Sequence, residues 1–153
     1  MKVNFNKIPL AGREVEYIKE AIASGHLQGD GEFLKKCEAA LRAATKAKAA
    51  LLTTSCTSAL DMAALLCDIK SGDEVIVPTF TFVSSVNAFV LRGAKPVFCD
   101  IRPDTLNIDE SQIPQLLTKR TKAVVPVHYA GVGCEMDTIM ETAKSAGIRV
   151  VED

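Results

Sequence analysis

The sequence predicts an α/β domain, a mostly parallel sheet flanked by helices, entered through a helical segment. Two observations predict it. Five short apolar runs, at 49–53, 74–77, 96–99, 123–127 and 149–151, alternate with longer amphipathic stretches; strands that alternate with helices build a parallel sheet covered on both faces. The chain has 153 residues, 48% of them hydrophobic, which is enough for one packed core.

Two helices come first. Residues 13–23 place Val15, Ile18 and Ile22 on one face, and residues 32–44 space Phe33, Cys37, Ala40, Leu41 and Ala44 at helical intervals. Ser24-Gly25-His26 and Gly29-Asp30-Gly31 punctuate them. Crossover helices are then expected at 57–66, 83–91, 109–117 and 136–146, the third starting at Asp109 ahead of an acidic first turn. The division expected is a helical segment over 1–45 and an α/β cofactor-binding domain over 46–153.

Charge and composition exclude several function classes. With 18 basic and 19 acidic side chains the formal net charge is −1, so no basic stripe is available for nucleic acid or anionic lipid. No apolar run approaches membrane-spanning length, and the start Met1-Lys2-Val3-Asn4-Phe5 lacks a secretion signal, so a cytoplasmic protein is expected. Five scattered cysteines without a Cys-x-x-Cys pair, and only two histidines, argue against a disulfide framework or a metal centre. Most of the thiols are expected to be buried, with Cys56 the more exposed one.

In open α/β sheets ligands bind beyond the carboxyl ends of the strands. Those ends here carry 54–58, rich in hydroxyls, then 78–82, Asp100, His128-Tyr129 and Glu152-Asp153. The run Thr53-Thr54-Ser55-Cys56-Thr57-Ser58 stands where a strand hands over to a helix. The unpaired N–H groups of a helix start attract an anion such as phosphate, although Ser55 or Thr57 could equally serve only as the helix cap. An aromatic from Phe80 or Phe82 could stack on a flat ring, and a carboxylate could pair with a protonated ring nitrogen. Pyridoxal 5'-phosphate (PLP) fits this combination. No Gly-x-Gly-x-x-Gly or Walker-type motif competes for it.

The segments 24–31, 55–60, 72–78, 79–83 and 150–153, in that order, resemble the N-terminal half of the DegT/StrS sugar aminotransferases. Segments 87–94, 102–105, 127–131 and 134–140 narrow the resemblance to members acting in enterobacterial common antigen and lipopolysaccharide biosynthesis. The resemblance implies a truncated large domain of PLP-dependent fold type I. It implies that Thr57 and Ser58 bind the cofactor phosphate, that Phe82 stacks on the pyridine ring, and that Asp153 pairs with the ring nitrogen as the catalytic carboxylate. For Phe82 the alternative is a core aromatic, and for Asp153 a solvated carboxylate. His128 either orients substrate or cofactor or bonds a neighbouring loop, and 29–31 either shape a sugar-binding edge or form a turn.

The implied reaction is amination of the 4-keto group of a dTDP-linked 4-keto-6-deoxyhexose, with glutamate as amino donor, by a homodimer. The lysine that anchors the cofactor in this family has no counterpart here: Lys70, Lys95, Lys122 and Lys144 fall at the opposite rim. The chain is therefore expected to be part of a longer enzyme and inactive alone. A sugar dehydratase of the same fold and a noncatalytic partner-binding protein are the other readings.

Overall fold

A computed structural model describes residues 7–153, which fall into two compact units meeting between Leu52 and Thr53. That boundary lies later than the 45/46 division drawn from composition.

The first unit contains α1 (Glu14–Ala23) and α2 (Glu32–Thr45). Tyr17 and Phe33 pack with ring centroids 5.4 Å apart. The expected apolar stripe exists, but Val15, Ile18 and Ile22 remain exposed.

The second unit runs α3 (Cys56–Leu66), β1 (Glu74–Pro78), α4 (Ser84–Val90), β2 (Lys95–Cys99), α5 (Ile113–Leu116), β3 (Thr121–Val124), α6 (Met136–Ala146) and β4 (Arg149–Val150). The strands pair in the order β2-β1-β3-β4, all parallel. Every residue of β1 is buried, as befits an apolar strand covered on both faces. Alternation sorts its side chains: Val75 and Val77 pack with Leu60, Ala64, Ala88 and Phe89 from α3 and α4. Ile76 joins Ile113, Ile139 and Ala143 from α5 and α6 on the other face.

Two sequence expectations need correction. The run 49–53 is not a strand: Leu51 is 62% exposed, and none of the strands described lies beside it. An apolar run becomes a strand only when a neighbour takes its backbone N–H and C=O groups. The helix expected over 109–117 is a 3₁₀ turn, Glu110–Gln112, leading into the short α5. Pro114 has no N–H to donate to the Glu110 carbonyl, so the first turn cannot close as an α-helix. Asp109 does start it, accepting from the Ser111 N–H at 3.1 Å and the Gln112 amide at 2.7 Å.

Candidate functional site

The carboxyl ends of the strands meet the N-terminus of α3 in a cavity of about 440 Å³, lined by Thr57, Phe82, Ser85, Tyr129 and Asp153 among others. Three of the four residues named from sequence converge there: Thr57, Phe82 and Asp153. Ser58 lies one step further along the same turn and does not line the cavity.

Ser55 is the cap of α3. Its hydroxyl accepts from the Ser58 N–H at 3.1 Å and lies 3.0 Å from the Ser58 hydroxyl. Ala59 N–H is taken by the Ser55 carbonyl at 3.1 Å. Among the described residues, the N–H groups of Cys56 and Thr57 have no protein acceptor. Ser55 is thus the cap, and two N–H donors at the mouth of the helix stay free of protein acceptors, where an anion could be held.

Asp153 is held from both sides. Its N–H donates to the Pro126 carbonyl at 3.0 Å, and its own carbonyl accepts from the His128 N–H at 2.9 Å, extending the β3–β4 ladder past the assigned strand ends. The side chain takes a short hydrogen bond from the buried Ser85 hydroxyl at Oδ2, and Ser85 in turn lies 2.8 Å from the Thr81 hydroxyl. The Cys56 thiol donates to Oδ1 at 3.3 Å. This hydrogen bond, with burial and the adjoining charge behind it, pushes the Cys56 thiol above its ordinary pKa. A helix N-terminus favours a thiolate; here the carboxylate outweighs it.

Phe82 is 72% exposed, so it is no core aromatic; it stands at the rim with one face open. Phe80 packs instead on Tyr129, with centroids 4.8 Å apart. The His128 ring is turned toward its own loop. Its Nδ1 accepts from the Cys134 N–H at 3.1 Å, which leaves the proton on Nε2 to donate to Glu152 at 3.0 Å. The loop contact is present, and His128 also lines the cavity.

Residues 26–31 line a separate cavity of about 210 Å³ in the first unit, where His26 Nε2 lies 3.1 Å from the Gly29 carbonyl. Among the cysteines only Cys99 is buried, and burial pushes its thiol up to about 11; Cys56 is exposed as expected, while the exposed Cys37 and half-buried Cys67 and Cys134 correct the expectation that most thiols are buried. Among the described residues no cluster of His, Cys, Asp or Glu could hold a metal ion, and no helix is long and apolar enough to cross a membrane.

Ser85 was missed in the sequence. The available signal was a hydroxyl sharing the buried face of α4 with Ala88 and Phe89, where a polar group must find a partner.

Two helix-start N–H groups without a protein acceptor among the described residues, an exposed aromatic and an anchored carboxylate border the cavity at the strand ends of a parallel sheet. Comparison with known proteins gives the family. Residues 10–153 match the DegT/DnrJ/EryC1/StrS aminotransferase family, and the chain belongs to it. It is 42% identical over 147 residues to the spore coat polysaccharide biosynthesis protein SpsC of Bacillus subtilis (strain 168), covering 95% of this chain and 38% of that protein. To GDP-perosamine synthase of Escherichia coli O157:H7 it is 39% identical over 144 residues, covering 94% and 40%. The structure of NtdA from Bacillus subtilis with bound cofactor PMP superposes with a TM-score of 0.85 at 30% identity, covering 90% of this chain and 32% of that one. The chain thus spans about two fifths of the length of these curated relatives.

Proposed function

We propose that this chain supplies the cofactor-binding part of a PLP-dependent sugar-nucleotide aminotransferase. The observation that carries the reading is the convergence of Thr57, Phe82 and Asp153 on one cavity at the mouth of α3. The residues present fit the cofactor: two unpartnered N–H groups for a phosphate, a rim aromatic for a ring face, and a fixed carboxylate for a ring N–H. When bound, PLP supplies an electron sink that stabilises negative charge at the carbon carrying the amino group.

The chain's own residues bind and orient. Cys56 and Thr57 N–H groups, with the Thr57 and Ser58 hydroxyls, hold the phosphate. Phe82 covers one ring face and shields it from water. Asp153 holds the proton on the ring nitrogen, and Ser85 keeps that carboxylate in place. Among the described residues no lysine lines the cavity, so covalent anchoring and proton shuttling fall to a lysine elsewhere in a longer polypeptide.

The acceptor in this reading is the 4-keto group of a nucleotide-linked 6-deoxyhexose destined for surface polysaccharide. A dTDP-linked sugar is assayed first, and a GDP-linked one second because of the perosamine synthase relative. Glutamate is the donor, and the complete enzyme is a cytoplasmic homodimer. The test is equilibrium dialysis of the chain with PLP, followed by an amino-transfer assay. The chain binds PLP and does not turn over, and Asp153→Asn weakens binding tenfold to a hundredfold, the equivalent of one charged hydrogen bond of about 1.5–3 kcal/mol. Binding unchanged in both Asp153→Asn and Thr57→Ala overturns the site; sustained turnover by the chain alone overturns the need for an outside lysine.

A further inference from the structure

A buried amide outside the cavity spends its side-chain hydrogen bonds on the 129–133 segment, whose first two residues line the cavity. Asn107 is 2% exposed and lies beside the Ile101–Ile108 bridge. Its Nδ2 donates to the carbonyls of Val132, at 2.9 Å, and Gly133, at 3.0 Å. Its Oδ1 accepts from the Tyr129 N–H at 2.9 Å. Its main chain belongs elsewhere, with the N–H on the Thr105 hydroxyl and the carbonyl on the Arg102 N–H. A side chain wanted only to fill this space would be apolar, since burying an amide without partners is costly.

The segment it grips is strained. Ala130 has φ 52° and Gly131 φ 82°, both left-handed, and an alanine in that region is disfavoured. The local bonds of the turn are Gly131 N–H to the His128 carbonyl, Val132 N–H to the Tyr129 carbonyl, and Tyr129 N–H to the Val127 carbonyl, the last donor being shared with Asn107 Oδ1. Tyr129 and Ala130 are lining residues of the cavity that holds Thr57, Phe82 and Asp153, and Tyr129 also supports Phe80.

We propose that Asn107 is a positioning residue of the candidate cofactor site, holding the 129–133 segment so that Tyr129 and Ala130 form its wall. The proposal rests on the reading of that cavity as a PLP site. Asn107 does not itself line the cavity and acts through the loop, by its bond to Tyr129 and its bonds to Val132 and Gly133.

The test uses the full chain. With two tyrosines and no tryptophan in the sequence, a Tyr17→Phe background leaves Tyr129 as the single tyrosine reporter in near-ultraviolet circular dichroism, read to the red of the phenylalanine bands. Asn107→Asp keeps the size and the acceptor for Tyr129 N–H but loses both donations; Asn107→Leu loses all three bonds. Ile113→Val, a buried core position that makes no hydrogen bond to the 129–133 segment, is the control for lost stability. At a temperature where far-ultraviolet circular dichroism shows all variants folded, both Asn107 variants lose at least half of the Tyr129 signal. Both also bind PLP at least tenfold more weakly, while Ile113→Val keeps both properties.

Asn107 variants that hold the Tyr129 signal and bind PLP within twofold of the parent overturn the proposal, as does a control that loses as much as they do. If the parent does not bind PLP, the cofactor reading falls, and the Tyr129 signal alone decides whether Asn107 sets the wall. Should neither variant fold, exchange of the Asn107 side-chain amide protons in the parent decides. Protection at least a hundredfold over an exposed asparagine upholds the grip, and exchange at the exposed rate overturns it.

Discussion

Three helices of the second unit end in the same way, and their differences set up a controlled substitution series. After α3, α4 and α6 the chain passes through a left-handed residue, Asp68 (φ 53°), Gly93 (φ 88°) and Gly147 (φ 67°). In each case the following N–H reaches back to the final turn: Ile69 to Ala64, Ala94 to Phe89, and Ile148 to Ala143. A Cβ added at Gly147 meets nothing within 4 Å, so Gly147→Ala costs only the left-handed backbone, about 1 kcal/mol.

At Gly93 the same Cβ would stand 2.9 Å from Ser71 Cα and 3.0 Å from Ser71 Cβ. The neighbour is backbone stitched to the turn by the Gly72 N–H on the Gly93 carbonyl, and it cannot swing away. Forced displacement of packed atoms adds about 1–3 kcal/mol, so Gly93→Ala costs roughly 2–4 in all. Ser71→Gly in that background removes the Cβ and Oγ contacts but not the one to Cα, and recovers part of the loss. Asp68→Gly relieves strain and holds or raises stability, by up to about 1 kcal/mol. Thermal melts followed by far-ultraviolet circular dichroism read the series at about 4–8 °C per kcal/mol for a unit of about a hundred residues. Equal melting temperatures for Gly93→Ala and Gly147→Ala would refute the reasoning, because the two differ only in what the added Cβ meets.

Other outcomes follow from the same structure. Ser55→Ala removes the cap of α3 and lowers stability by about 1 kcal/mol in urea denaturation. Asp153→Asn removes the charge and leaves only a weaker amide acceptor for the Cys56 thiol, so its pKa falls and alkylation of Cys56 at neutral pH, followed by peptide mass spectrometry, speeds up. The buried Glu74 carboxyl is held below its ordinary pKa by hydrogen bonds from the Thr118 hydroxyl and then from Arg120. A depressed carboxyl pKa stabilises the fold above the unfolded value of about 4.5, and that contribution disappears as pH drops through the lower folded value. Glu74→Gln should therefore flatten stability against pH on the acid side of 4.5 in acid titration of the fold.

The alternation of apolar runs with amphipathic stretches was legible because β1, β2, β3 and β4 have neighbours within the chain: pattern and strand coincide at 74–77 and 96–99, whereas the run 123–127 overlaps β3 only at 123–124 and the run 149–151 overlaps β4 at 149–150. The run 49–53 carries the same pattern and failed, because periodicity reports which face wants burial and not whether a partner strand exists. Thr57, Ser58, Phe82 and Asp153 could be named because the motifs at 55–60, 79–83 and 150–153 resemble those of the family. Ser85 and Asn107 could not, since their roles are set by partners far along the chain: Asp153 for one, Tyr129 and Val132 for the other. The sequence also left the hydroxyl turn split between capping and anion binding, and only the hydrogen-bond assignment of Ser55 against Cys56 and Thr57 separates them.

Amide NMR shift mapping of the chain titrated with PLP tests the cofactor site most directly. Saturable shifts concentrated at Cys56, Thr57, Ser58, Phe82 and Asp153 are expected, the phosphate end perturbing the α3 N-terminus and the ring end perturbing Asp153. Shifts confined to the cavity around residues 26–31, or the absence of any saturable change, would contradict it.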